Sequence, residues 1–217
     1  MFLTRSSCVF VLALVSALSI TAAEERLSHE QALTALEAPV QAMRIAGIER
    51  LGEIGTMADA DQLVAQLADA DDDLREQVTS AMWQIWSRSG DPEIDAMYRR
   101  GVEQMKASQL SEAVATFSEV IRRKPAFAEG WNKRATVYFM MGKSDLSLKD
   151  CVEALKLNHN HFGALSGAAQ IYVNLGRLER ALEYYERALT VHPGLPGAAE
   201  AVRLLEQQIQ ERQRQMI

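Results

Sequence analysis

One interval organises the C-terminal half of this chain. Pro125, His159 and Pro193 are spaced 34 residues apart, and the same step links Ala113 to Ser147 to Ala181, Phe117 to Cys151 to Tyr185, and Val120 to Ala154 to Ala188. Trp131 and Leu165, Tyr138 and Tyr172, and Gly142 and Gly176 keep that interval as well. Each period holds an apolar stretch of helical spacing, a Gly or Ser, and a second such stretch ending near Pro or His, which reads as a helix hairpin. One hairpin leaves an apolar face open, so the copies must stack. The expected fold class is therefore all-α, a helical-hairpin repeat solenoid. Composition agrees: only 6% of residues are aromatic, thin for a β-sandwich, while Ala, Leu, Glu, Gln and Arg abound.

These residues resemble the tetratricopeptide repeat, over about residues 94–195. The third copy is the cleanest, with Tyr172, Gly176, Ala181, Tyr185, Ala188 and Pro193 on motif positions. The second has Trp131, Ala135, Tyr138, Gly142 and Ala154, and departs at Ser147, Cys151 and His159. In the first, Gly101, Ala113, Phe117 and Pro125 match, whereas Met97, Gln104, Ser108 and Val120 depart. The resemblance implies a concave groove lined by the first helix of each unit. Carried over residue by residue, it places Tyr98, Val102, Met105 and Lys106 there from the first unit, Glu129, Asn132, Thr136, Phe139 and Met140 from the second, and Ser166, Gln170, Val173 and Asn174 from the third. Such a mixture of amides, hydroxyls and apolar floor suits an extended peptide or an amphipathic helix of a protein partner. Family members that hold a chaperone's C-terminal carboxylate do so with Lys and Asn at positions that read Tyr98, Val102, Asn132, Thr136, Ser166 and Gln170 here, so that clamp is not expected.

Charge divides the chain near residue 93. Residues 24–93 carry 5 Lys and Arg against 15 Asp and Glu, and residues 94–217 carry 17 against 14. Ser89-Gly90-Asp91-Pro92 marks the break with turn residues, Asp91 suited to cap a new helix and Pro92 to its first turn. The acidic part has a weaker period of 31: Arg44 pairs with Arg75, Leu51 with Met82, Gly52 with Trp83 and Ile54 with Ile85. With the short stretch Leu63, Val64, Leu67, the acidic turn after it and Arg75 opening the next helix, this part resembles HEAT-like repeats of the phycobilisome-lyase type. Asp71 to Asp73 can cap that helix, and Arg75 can answer one of them. One continuous solenoid that changes repeat type near residue 91 is the expectation. Trp83 and Trp86 would seal the junction with the first tetratricopeptide unit, or form a second partner patch.

Residues 1–23 read as a secretory signal peptide: Arg5, an apolar run from Cys8 to Ile20, then Thr21-Ala22-Ala23 before Glu24. The run is short for a membrane span, so no stable membrane insertion is expected after cleavage, and a periplasmic location follows. Cleavage would leave Cys151 alone among the two cysteines, so packing rather than a disulfide must hold the fold. The expected organisation is a signal peptide at 1–23, a HEAT-like segment at 24–91, three tetratricopeptide repeats at 92–195 and a capping helix at 196–217, in which Ala198, Ala201, Val202, Leu205 and Ile209 share a face.

The net charge of −6 gives nucleic-acid binding no support. Asp69, Asp71 and Asp73 alternate as in a calcium loop, but Leu74 and Ser80 stand where its Gly and Glu belong, so capping is the expected role. His159 and His161 read as solvated turn histidines, and Cys151 as a buried thiol. No phosphate loop, nucleophile elbow or His-Glu-x-x-His is present. The expectation is a non-enzymatic, exported scaffold or adaptor without cofactor or metal that binds a protein or peptide, in cell-envelope assembly. A self-associating structural array is the alternative, with an unrecognised metal-dependent enzyme third.

Overall fold

The computed structural model describes residues 26–69 and 71–215. The proposed signal peptide lies outside them. Among the described residues there are α-helices and one short 3-10 turn, and no strand. The acidic segment forms α1 (His29–Ala35), α2 (Gln41–Ile54), α3 (Ala60–Gln66) and α4 (Asp72–Trp86). Six helices follow as three antiparallel hairpins: α5 (Pro92–Lys106) with α6 (Leu110–Arg123), α7 (Ala128–Met140) with α8 (Ser144–Leu157), and α9 (Phe162–Asn174) with α10 (Leu178–Val191). The last helix is α11 (Ala198–Gln215). No described helix is long and apolar enough to cross a membrane.

The 34-residue interval is a packing interval. Ala113, Ser147 and Ala181 are all buried, as are Phe117, Cys151 and Tyr185, and Val120, Ala154 and Ala188. These are the faces by which α6, α8 and α10 meet their own first helix and that of the next unit. Ser147 occupies its apolar site by donating its hydroxyl to the Ala135 carbonyl at 2.7 Å, which removes the penalty of burying an unpaired polar group. Gly142 and Gly176 turn the second and third hairpins with φ of +71° and +67°, a region that costs a side-chain-bearing residue roughly 1 kcal/mol. At the same place in the first hairpin Ser108 adopts φ 59° without that freedom.

Caps set the boundaries. Asp91 accepts from the amides of Glu93 and Ile94 at 2.9 and 3.4 Å, with Pro92 opening α5 where no amide hydrogen is needed. Asp71 accepts from the Leu74 amide at 2.9 Å, and Arg75 pairs with Asp72. Asp69 accepts from Arg44 at 2.7 Å and from the Asp71 amide at 2.9 Å. Helix α11 stacks on α10, where Ala198 and Leu205 are buried and Ala201, Val202 and Ile209 pack beside them over Ala181 and Tyr185.

The acidic segment does not continue the stack, contrary to the expectation of one solenoid. Its core of Ile48, Leu51, Leu63, Leu74, Val78 and Ile85 extends instead onto Phe162 at the start of α9, Val191 at the end of α10 and Leu195 in the turn that follows. Thr79 on α4 meets His192 at 2.9 Å, and Asn160 donates to Asp61 at 3.1 Å. Helix α4 thus lies across the turns between units. The cause is its apolar face: Leu74, Val78, Ala81 and Ile85 are taken by α2 and α3, which leaves Thr79, Met82, Trp83 and Trp86 to find a second surface.

Candidate partner-binding groove

Helices α7, α9 and α11 enclose a groove of about 550 Å³. Asn132, Thr136 and Phe139 form one wall, Gly163, Ser166, Gly167 and Gln170 the facing wall, and Leu195 to Ala198 with Ala201 the far end; Ser147, Cys151, Ile171 and Tyr185 lie at the floor. Helix α11 stands beside the groove as its last wall and does not lie in it. Among the described residues no Lys, Arg, His, Asp or Glu lines it.

Its polar groups are oriented from beneath by Glu129. That carboxylate is buried and accepts from four donors: the Tyr98 hydroxyl at 3.1 Å, the Asn132 amide at 2.9 Å, His161 Nε2 at 2.8 Å and Lys133 Nζ at 2.9 Å. Burial alone would raise its pKa, but the His161 hydrogen bond and the Lys133 charge outweigh that and hold it near 2. The same burial, reinforced by the Glu129 charge, pushes the Tyr98 hydroxyl upward. His161 Nδ1 accepts from the Ala164 amide at 3.2 Å as the cap of α9, so its ring proton sits on Nε2 and points at Glu129.

Because an ionised carboxylate only accepts, Asn132 must turn its amide nitrogen inward and its Oδ1 away from Glu129. Thr136 donates its single hydrogen to the Asn132 carbonyl at 3.0 Å, and Ser166 donates to the Gly163 carbonyl at 3.2 Å. Gln170 accepts from Tyr185 at 3.3 Å and gives one amide hydrogen to Asn174 at 3.4 Å. What remains for a ligand is a set rich in acceptors over the apolar ring of Phe139.

Of the predicted groove residues, Asn132, Thr136, Phe139, Ser166 and Gln170 come together there. Tyr98 and Glu129 are corrections: both are buried, in the polar cluster, because a tyrosine hydroxyl and a carboxylate satisfy each other between units. Val102 and Met105 pack on the core of the first hairpin, and Val173 on that of α10 and α11. Lys106, Met140 and Asn174 are exposed outside the groove lining. His161 is a further correction, fully buried where a solvated turn was expected, whereas His159 is exposed.

Trp83 and Trp86 seal a junction, but with the second and third units instead of the first. Trp86 stacks on His161 with ring centroids 4.4 Å apart, and Trp83 sets its edge against Phe162 and lies 5.1 Å from Lys133 Nζ. Gly163 permits this contact, since a Cβ there would come within 2.6 Å of the Trp83 ring. The residues that sequence reasoning missed, Leu195 to Ala201 and the Glu129–His161 pair, follow no repeat interval. The only local signal was the capping position of His161 ahead of α9.

Known proteins share this architecture. The tetratricopeptide repeat model matches residues 162–195, the third hairpin. A TPR repeat-containing protein of Rhizobium etli is 33% identical over 150 residues, 69% of this chain and 74% of that protein. The Hsp70-Hsp90 organizing protein of Triticum aestivum is 26% identical over 57% of this chain, which spans 22% of it. Among solved structures, the first TPR of Spaghetti (RPAP3), bound to an HSP90 peptide, superposes with a TM-score of 0.52 at 25% identity, over 54% of this chain and 92% of that one. The Sgt2 TPR domain of Aspergillus fumigatus does so with 0.54 at 19% identity, over 57% and 83%. A periodicity that packs as stacked hairpins here recurs in a relative one-third identical over most of its length, and on that ground the chain belongs to the tetratricopeptide repeat family.

Proposed function

We propose that this protein is a non-enzymatic adaptor that holds a segment of a protein partner in the groove between α7, α9 and α11. The observation that carries the reading is the groove itself: open, uncharged, with Asn132, Thr136, Ser166 and Gln170 spaced along walls of an apolar trough. Such a lining satisfies main-chain groups of an extended segment while Phe139 takes an apolar side chain. The RPAP3 domain holds a peptide with the same repeat architecture, which supports the reading. Acceptors outnumber donors along the walls, so the segment that suits them offers N–H groups and not a carboxylate terminus.

The finer reading is an exported protein of the cell envelope, with residues 1–23 removed and the acidic segment built as HEAT-like pairs. It rests on the sequence pattern alone. Substituting Gln170→Trp fills the groove from an exposed position, and circular dichroism checks that the helices persist. Capture of a partner from an envelope extract by the wild type, lost in Q170W, is the expected result; equal capture by both would refute the groove. Fractionation of cells with N-terminal sequencing of the recovered protein tests export, with a start at Glu24 expected.

Self-association is the second reading, and one observation favours it. Val40 and Met43 are 53% and 54% exposed at the α1–α2 end, and Met43 borders an apolar hollow of about 630 Å³. Light scattering that shows a monomer at micromolar concentration would remove it.

A further inference from the structure

A third, smaller cavity of about 250 Å³ lies where the acidic segment meets the repeats, away from the groove. Trp86 and Asn158 border it, and both are more than nine-tenths buried. Trp86 Nε1 and Asn158 Nδ2 find no hydrogen-bond partner among the described residues. The orientation of Asn158 is settled by its own chain, because its Oδ1 accepts from the Asn160 amide at 3.1 Å and the NH2 must then face the other way. Two buried donors without acceptors each cost about 1–3 kcal/mol, so something with lone pairs belongs beside them.

The rest of the lining says what. Phe127, Ala128 and Glu129 bring the start of α7 to the cavity; that helix has no side-chain cap, and while the Gly130 amide is taken by the Phe127 carbonyl at 3.1 Å, the amides of Ala128 and Glu129 and the positive dipole end have no side-chain acceptor. Lys124 borders the same space and makes no ion pair among the described residues. Arg88 also borders it, and its two terminal nitrogens each give one hydrogen to the Gly52 and Gly55 carbonyls at 2.6 and 2.8 Å, which fixes the guanidinium in place and adds its positive charge to the lining. The one negative group among the described residues that line it, Glu129, already accepts from Tyr98, Asn132, Lys133 and His161. At roughly 30 Å³ per water, the space holds a small polyatomic anion with part of its hydration.

We propose that this junction is a binding site for a small oxyanion, a phosphate or carboxylate group held by Trp86 Nε1–H, Asn158 Nδ2–H, Lys124 and the amides that open α7. Occupancy would tie α4 to the turns on either side of the second unit, because its ligands come from both.

Two probes separate the forms of the anion: inorganic phosphate and acetate, each titrated into the full chain against sodium chloride of equal ionic strength, read by tryptophan fluorescence and calorimetry. Saturable binding of one or both, absent with chloride, is expected. Trp86→Phe keeps the ring on His161 and removes the hydrogen, Asn158→Asp places a carboxylate in the cavity, and Lys124→Ala removes the charge at a surface position. The first two should abolish saturation, and K124A should weaken it about fivefold, the scale of one partly screened charge. Circular dichroism and urea midpoints show whether each variant is folded, and K124A carries the test if the buried substitutions are not. Saturation that survives in K124A and W86F unchanged places the anion elsewhere and overturns the proposal. No effect of either anion beyond that of chloride leaves a cavity filled by water alone, and overturns it equally.

Discussion

Glu129 and His161 stand 2.8 Å apart with neither side chain reaching solvent, although 32 residues separate them in the chain. The pair joins the start of α7 to the cap of α9, and through Trp86 stacked on the His161 ring it joins both to α4. One carboxylate therefore holds three parts of the molecule in register, and sets the orientation of Asn132 in the groove.

Replacing Glu129 by Gln should destabilise the fold by about 3–5 kcal/mol, because the donors of His161, Lys133, Tyr98 and Asn132 lose an ionised acceptor that nothing else can supply. Urea denaturation measures this directly, and a loss below 1 kcal/mol would mean that water reaches the cluster.

The same carboxylate predicts the acid response. Its folded pKa, near 2, lies below its ordinary value of 4.5. Its contribution is thus complete above pH 4.5 and is lost as the pH falls toward 2, since the unfolded chain takes up the proton first. Stability of the wild type should fall across that window more steeply than that of E129Q, and parallel curves would contradict the assignment.

Gly163→Ala should dislodge Trp83, because the added methyl would come within 2.6 Å of its ring against a backbone held by the His161 cap. Exposure of that indole to water should red-shift the emission and lower stability by about 1–3 kcal/mol, the range for overpacking. An unchanged spectrum would show that α4 is less closely seated.

Ser108→Gly should stabilise the protein by about 0.5–1 kcal/mol, since Ser108 alone among the three hairpin turns holds a positive φ with a side chain. Thermal denaturation reads the gain. A lower melting temperature would mean that the hydroxyl matters more than the backbone.

Cys151 lies in the groove floor yet is buried, and burial followed by the charge of Asp150 pushes its thiol up to about 12. In a Cys8→Ser background, a thiol reagent at pH 8 should react only on unfolding. Rapid stoichiometric reaction of the folded protein would show that the floor opens.

Most of the hairpin architecture was legible from spacing alone. A period of 34 with small residues at Ala113, Ser147 and Ala181 and large ones at Phe117 and Tyr185 repeats one packing rule three times, and repetition is what makes a pattern visible. The caps at Asp71 and Asp91 were equally readable, because a cap acts on amides two and three residues away. The groove was half readable: the inward stripe of α7 and α9 was found, but Tyr98 and Glu129 satisfy one another inside, and a polar stripe on a helix does not say which members turn into the core.

Periodicity and local chemistry, then, settled the helices, the family and the rough line of the groove, since each depends on contacts that recur at a constant interval. The seat of α4 across the turns, the burial of His161 and the closing of the groove by Leu195 to Ala201 were decided only when the chain was folded. They rest on single contacts between distant residues, Trp86 on His161, Trp83 on Gly163 and Thr79 on His192, and a contact made once leaves no period to read.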